Sequence, residues 1–191
     1  MRTIGIRHRV KKTAAGEARP TQVVIFDGES VQARDLETEQ DELDFVHGHF
    51  PIEWRKVAEH ESLSDFRPHH VKWRKLRKGE STDGIPPAHL RRQGRDMYRA
   101  DRVPARYEGL AQGDKVAMIL GGSGDSFAGA LARRGMQIGA RVFRIPPFHF
   151  QEQRDSDDKN LDAKRLAELL QEKQELFYEA AGDRDLALIQ V

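Results

Sequence analysis

Near the C-terminus four carboxylates, Asp155, Asp157, Asp158 and Asp162, crowd ahead of a stretch with helical apolar spacing. Carboxylates at this spacing share one or two Mg²⁺ ions, which neutralise phosphate charge and activate water for strand cleavage. Such a centre needs ligands from several strands and a helix, so one cluster does not complete it. Acids in this place are also what a helix N-terminus attracts.

A second constellation is Gly121-Gly122-Ser123-Gly124, set between a strand-like and a helix-like run. Backbone N–H groups there can hold phosphate. The G-x-G-x-x-G spacing is missing, however, and no acid ends the next run, ARVFRIPP, so a tight turn is expected before a nucleotide site. The third is FRPHHVKWRKLRKG, where Phe66 and Trp73 are interleaved with cations and histidines. Cations neutralise phosphates and an exposed aromatic stacks on a base. Arg67, Lys72, Trp73, Arg74, Lys75, Arg77 and Lys78, with Arg91, Arg92 and Arg95 further on, are the expected nucleic-acid contacts. The competing expectation is a solvated basic loop that pairs with the acidic stretch before it. His47, His49, His69 and His70 offer imidazoles, but with no cysteine in the chain and no spaced partner pair zinc is not expected.

The elements that must position these groups follow from periodicity. Thr3 to Lys12 and Thr21 to Val31 read as β-strands joined by a turn at Gly16 and Pro20, with a third strand near Val31 to Leu36. Asp41 to Val46 and Glu53 to His60 read as helical pieces. Lys115 to Gly122 is a continuous apolar run, as in a buried strand. Ser123 or Asp125 caps a helix from Ser126 to Arg134 that Gly135 ends, and Ala140 to Ile145 is the next strand, giving a β-α-β unit with parallel strands. A final helix is expected from about Leu161, with a further element from Leu186 to Val191.

Among 191 residues, 38% are hydrophobic and 33% charged, which suits a folded α/β domain with a wet surface. The net charge of +1 hides a segregation: residues 27 to 65 hold twelve acids against three bases, and residues 67 to 106 twelve bases against four acids. That asymmetry predicts a polyanion partner for the basic half, or internal pairing of the halves. No apolar run approaches the roughly 20 residues that cross a bilayer, and the lack of cysteine fits a reducing cytoplasm.

Several of these segments together resemble a known family. SDDKNLDAKRLAELL followed by FYEAAGDRDLALIQV is similar to the "TD-x-x-DA-x-x-LA-x-LL" segment of the Piv/MooV family of DEDD transposases and DNA invertases, which are guided by a structured RNA. IGIRHRVKK resembles that family's first strand, and VAMILGGSGDSFAGALARRGMQIGARVFRIPP its later β-α-β segment. The resemblance implies an α/β, RNase H-like (RuvC-like) mixed sheet with flanking helices over residues 1–155, a basic insertion at 62–113, and a C-terminal helical extension at 156–191. It also implies a damaged metal site. Arg7 stands where the family has its first aspartate and Gly121 where it has a glutamate, while Asp162 and, shifted by one residue, Asp158 match the remaining pair. Asp157 is a substitute for Asp158, and Asp27 a stand-in for the lost first carboxylate. An arginine in a former metal site repels Mg²⁺ and pairs with the surviving aspartates.

The expected function is therefore nucleic-acid binding, RNA-associated and without catalysis, by a cytoplasmic protein that joins RNA or DNA and a partner chain or second copy. Two alternatives stay open. One is a Mg²⁺ nuclease using Asp157, Asp158 and Asp162, its metal held by Asp27, Asp158 and Asp162. The other is a nucleotide-binding β-α-β protein.

Overall fold

The computed structural model describes residues 1–10 and 18–180, in two compact units: residues 1–49 with 109 onward, and Phe50–Glu108 between them. In chain order the elements are β1 (Thr3–Arg7), β2 (Thr21–Phe26), β3 (Val31–Leu36), α1 (Glu39–Val46), β4 (Phe50–Lys56), β5 (Lys72–Lys75), β6 (Leu90–Gln93), β7 (Asp96–Glu108), β8 (Lys115–Ile119), α2 (Asp125–Ile138), β9 (Arg141–Ile145), α3 (Pro147–Gln153), α4 (Asp162–Glu172) and β10 (Tyr178–Ala180).

The first unit is a mixed α/β fold on a six-stranded sheet ordered β10-β9-β8-β1-β2-β3. β1, β2 and β3 form an antiparallel meander, β8 and β9 run parallel to β1, and β10 returns antiparallel at the edge. β1 is buried along almost its whole length because both its faces are covered. α4 lies on one face, so close that a Cβ on Gly5 would come within 1.8 Å of the Ala163 carbonyl oxygen. Only glycine permits that approach. The apolar stripe of α4, Leu166, Leu169 and Leu170, packs with Ala117, Phe143, Ile145 and Phe150. Burying each leucine contributes about 1.5–3 kcal/mol.

α1 begins with a capping box: Asp41 N–H donates to Thr38 Oγ1 at 3.1 Å, and the Asp41 carboxylate accepts from the Thr38 N–H at 3.3 Å. α2 runs through Gly135 and ends at Gly139, which takes the left-handed conformation at φ 85°. Gly135 is glycine for a packing reason, since a Cβ there would meet the Ala140 carbonyl oxygen at 2.6 Å. The expected helix end at Gly135 is thus displaced by one turn.

The second unit is a four-stranded antiparallel sheet in which the 13-residue β7 pairs β4 along one stretch and β5 and β6 along others. Glu53 to His60 is accordingly not helical. β4 is a strand there because its backbone pairs with β7, and Phe50, Ile52 and Trp54 alternate with period two. The insertion runs over Phe50–Glu108 rather than 62–113, and it is a folded sheet rather than a surface loop. Residues 156–180 are no extension either: α4 covers β1, β2 and β8, and β10 pairs with β9. The expected turn at Gly16 and the element from Leu186 to Val191 lie outside the described residues. Among the described residues no helix is long and apolar enough to cross a membrane.

Candidate functional site

Successive side chains at the end of β1 leave on opposite faces of the sheet. Arg7 goes towards α4, where its Nη1 lies 3.7 Å from Oδ2 of Asp162. Asp162 opens α4 and is 3% exposed. Arg154, just past α3, donates from Nε to Asp162 Oδ1 at 3.1 Å and from Nη2 to Oδ2 at 3.4 Å. Burial pushes the Asp162 carboxyl above the usual aspartate range, and the charges of Arg154 and Arg7 oppose that shift. Two guanidinium groups here stand around one carboxylate, and their charge repels a divalent cation.

The other expected carboxylates do not join Asp162. Asp158 is exposed and accepts from the Asn160 N–H at 2.9 Å, capping a short 3₁₀ turn. Asp157 is exposed, and its carbonyl rather than its carboxylate accepts from Arg154. Asp27 follows Phe26, which pairs with Thr3, whereas Arg7 pairs with Gln22, so Asp27 sits at the opposite end of the strands. Hydrogen bonds from the backbone and hydroxyl of Ser30 and the Glu29 N–H hold its carboxyl below the usual range. Among the described residues, no three of Asp27, Asp155, Asp157, Asp158 and Asp162 bring oxygens within 4.8 Å of one another. The Mg²⁺ set of Asp27, Asp158 and Asp162 and the acid set of Asp157, Asp158 and Asp162 are therefore separated by register and by local capping.

His8, one residue on, faces the other way, towards α1 and α2. Its Nδ1 lies 3.1 Å from Ser123 Oγ and its Nε2 3.2 Å from Glu42 Oε1. Glu42 is buried in the first turn of α1, where it also accepts from Thr21 Oγ1 at 2.8 Å and Arg9 Nη2 at 3.2 Å. Burial raises its carboxyl, but the hydrogen bonds of His8 and Thr21 and the charges of His8 and Arg9 outweigh this and hold it below the usual glutamate range. Ser123 is exposed in the β8–α2 loop. That loop takes positive φ at Gly121 (92°) and Gly122 (80°), and Gly124 lets it close on the histidine: a Cβ there would stand 3.1 Å from His8 Cβ. Asp125 ties the loop down by accepting from the Gly121 N–H at 2.9 Å and from the fully buried Arg144 of β9. Beside Ser123 opens a cleft of about 590 Å³ that reaches Arg7, Val10 and Met118.

In the second unit the cations line up across the sheet. Arg102 at the centre of β7 pairs in register with Lys56 of β4 on one side and Lys72 of β5 on the other, and all three are exposed. Lys72 Nζ stands 3.9 Å from the centre of the half-buried Trp54 ring. Like charges directly opposite on a sheet cost stability unless an anion compensates them. Of the expected contacts, Lys72 lies in this row. Arg67, Lys75, Arg77, Lys78, Arg91, Arg92 and Arg95 are exposed on strands and turns of the same unit. Arg74 is bound to both Glu80 oxygens, at 3.0 and 2.8 Å, and Lys75 pairs with Asp96 at 3.2 Å. Trp73 already carries Arg91 over its ring at 5.6 Å.

Compared with known proteins, the chain has no significant match among family models, curated proteins or solved structures.

Trp54, Lys56, Arg102, His8 and Glu42 are not singled out by sequence spacing as sites, and Ser123 is marked only as part of the glycine turn. For Trp54 and Lys56 a signal exists, their period-two placement, and Arg102 belongs to the basic run. Nothing in the sequence joins Ser123 to His8, 115 positions away.

Proposed function

We propose that this chain is a nucleic-acid-binding protein, with an RNase H-like unit whose metal site has been replaced by arginine–aspartate pairing and whose inserted β-sheet contacts the polyanion. The observation that carries the reading is the row Lys56–Arg102–Lys72 beside Trp54. Three exposed cations held in register present the charge repeat that a phosphate backbone neutralises, and drawing Lys72 from the Trp54 ring onto a phosphate would free that ring to stack on a base.

The RNase H-like assignment rests on strand order. Three antiparallel strands ordered third, second, first, then two strands parallel to the first, are the arrangement of that fold, here with one further edge strand. The family resemblance adds weight. It makes Arg7 and Asp162 the first and last positions of a four-ligand metal site, and the two side chains are neighbours. With arginine in place of the first carboxylate, Mg²⁺-dependent strand cleavage is not part of this reading.

Both tryptophans, Trp54 and Trp73, lie in the inserted unit, so tryptophan emission reports on that unit alone. Titrating single-stranded RNA or DNA oligonucleotides should quench it. Log affinity should fall linearly with log salt, because each neutralised phosphate releases counterion. A Lys72→Ala/Arg102→Ala double variant should lower the magnitude of that slope by about 1.4 to 1.8. Affinity that does not change across the salt series, or a slope equal to wild type in the double variant, refutes the reading.

A further inference from the structure

We propose that Ser123, His8 and Glu42 form a nucleophilic triad that hydrolyses esters of small carboxylic acids in the cleft beside the β8–α2 loop. The proposal does not depend on nucleic-acid binding, and all three residues belong to the first unit.

The hydrogen-bond arithmetic fixes each role. An ionised Glu42 can only accept, so it takes the proton on His8 Nε2 at 3.2 Å. That tautomer leaves a lone pair on Nδ1, and the Ser123 hydroxyl, 3.1 Å away, is the donor that fills it. Nucleophile, base and orienting carboxylate therefore form a continuous chain, with the usual roles of the two ring nitrogens exchanged. Thr21 and Arg9 bind the same carboxylate and fix it from behind. These two are positioning residues.

The surroundings suit a nucleophile. Ser123 is exposed at a strand-to-helix turn, while its histidine and glutamate are nearly enclosed. The loop forms a 3₁₀ turn, Gly122–Gly124, that runs into the 14-residue α2; the Asp125 N–H is taken by the Gly122 carbonyl oxygen, and an oxyanion would be met by the N–H groups of the turn and of the helix start that lack an intrahelical acceptor. The cleft is of small-molecule size, and Ile6, Val10, Met118 and Ile119 give it apolar walls for an acyl chain. An ester is favoured over a phosphodiester because the adjacent cations are already engaged, Arg7 by Asp162 and Arg9 by Glu42. A tetrahedral acyl intermediate carries a single negative charge and needs only N–H donors.

In the first step Ser123 Oγ bonds to the acyl carbon as its proton passes to His8 Nδ1, and Glu42 stabilises the imidazolium. The carbon–alkoxide bond then breaks, and the alcohol leaves with the proton from Nδ1. Water, deprotonated by the same nitrogen, attacks the acyl-serine. The carboxylic acid departs and Ser123 recovers its proton.

The test uses the whole chain, a fluorophosphonate probe with peptide mass mapping, and p-nitrophenyl acetate hydrolysis. Wild type should gain one phosphonyl group on Ser123 and hydrolyse the ester faster than Ser123→Ala does. Ser123→Ala alters an exposed side chain and should remove the label. His8→Ala should slow hydrolysis at least about a hundredfold, the size of a general-base contribution. Labelling elsewhere, or a wild type that is neither labelled nor faster than Ser123→Ala, overturns the proposal.

Discussion

Arg144 shows how one residue can hold a site together while being costly in itself. It is fully buried, donates from Nη2 to the Ile119 carbonyl oxygen at 2.9 Å, and pairs with Asp125. Its Nε and Nη1 are buried with no hydrogen-bond partner among the described residues. Breaking a buried ion pair typically costs 3–5 kcal/mol, but two unsatisfied donors already burden this one. Arg144→Met should therefore lower unfolding stability by about 1–3 kcal/mol, read as a shift in urea midpoint at unchanged slope. Because Asp125 also accepts from the Gly121 N–H, the same variant should loosen the Ser123 loop and lower fluorophosphonate labelling. None of this could be read from the sequence, where ARVFRIPP shows an arginine in a strand that looks solvent-facing by its charge.

At the scale of the element, β1 decides most of the chemistry. Its alternation sends Gly5 and Arg7 to the α4 side and His8 to the α1 and α2 side, so neighbouring residues serve unrelated clusters. The apolar run of β8, the glycine turn and the strand after α2 were legible because a parallel strand buried on both faces must be continuously apolar. β4 and β5 were not, since the short Phe50, Ile52, Trp54 alternation of β4 is interrupted by Pro51 and only half-buried, and KWRK of β5 buries little. Their strand state comes from β7, a partner 23 to 58 residues away, and tertiary pairing overrides local pattern. The close seat of α4 gives a sharp expectation. Gly5→Ala would drive a methyl into the Ala163 carbonyl and should lower the thermal midpoint by several degrees or prevent folding, as circular dichroism can show.

For the molecule as a whole, acid should act on the inserted unit through two arginine–glutamate pairs. Arg55 binds both oxygens of Glu61, and Arg74 both of Glu80, with backbone N–H groups adding to each. These bonds depress both carboxyls from 4.5 to about 2. A group whose folded value is depressed stabilises fully above its unfolded value and loses that contribution as pH falls towards the folded one. The inserted sheet should thus weaken from about pH 4.5 down to about 2, followed by tryptophan emission. In the first unit Asp162 has the opposite sign, its raised carboxyl favouring the fold as it is protonated, and it works against the depressed Asp27, Glu42 and Glu179 of the same unit, whose contributions are lost as pH falls. The charge segregation of the sequence predicts a polyanion partner or internal pairing of the halves, and the alignment of Lys56, Arg102 and Lys72 across one sheet was not legible in it. The Glu42–His8–Ser123 cluster stayed hidden because folding alone joins its members.

The chain leaves the first unit after His49 and re-enters at Gly109, and these ends are stitched together. The Leu110 N–H donates to the Phe45 carbonyl oxygen at 2.9 Å, and a Cβ on Gly109 would strike Gly48 Cα at 2.5 Å. A detour of 59 residues therefore begins and ends at almost one point, as a guest domain does when spliced into a surface loop. The six-stranded host closes its own circuit without the guest. Under the proposed function the inserted sheet would be a replaceable cassette: the host could be given another binding surface by exchanging the stretch between two adjacent glycine-marked ends, with the residues around β1 left intact.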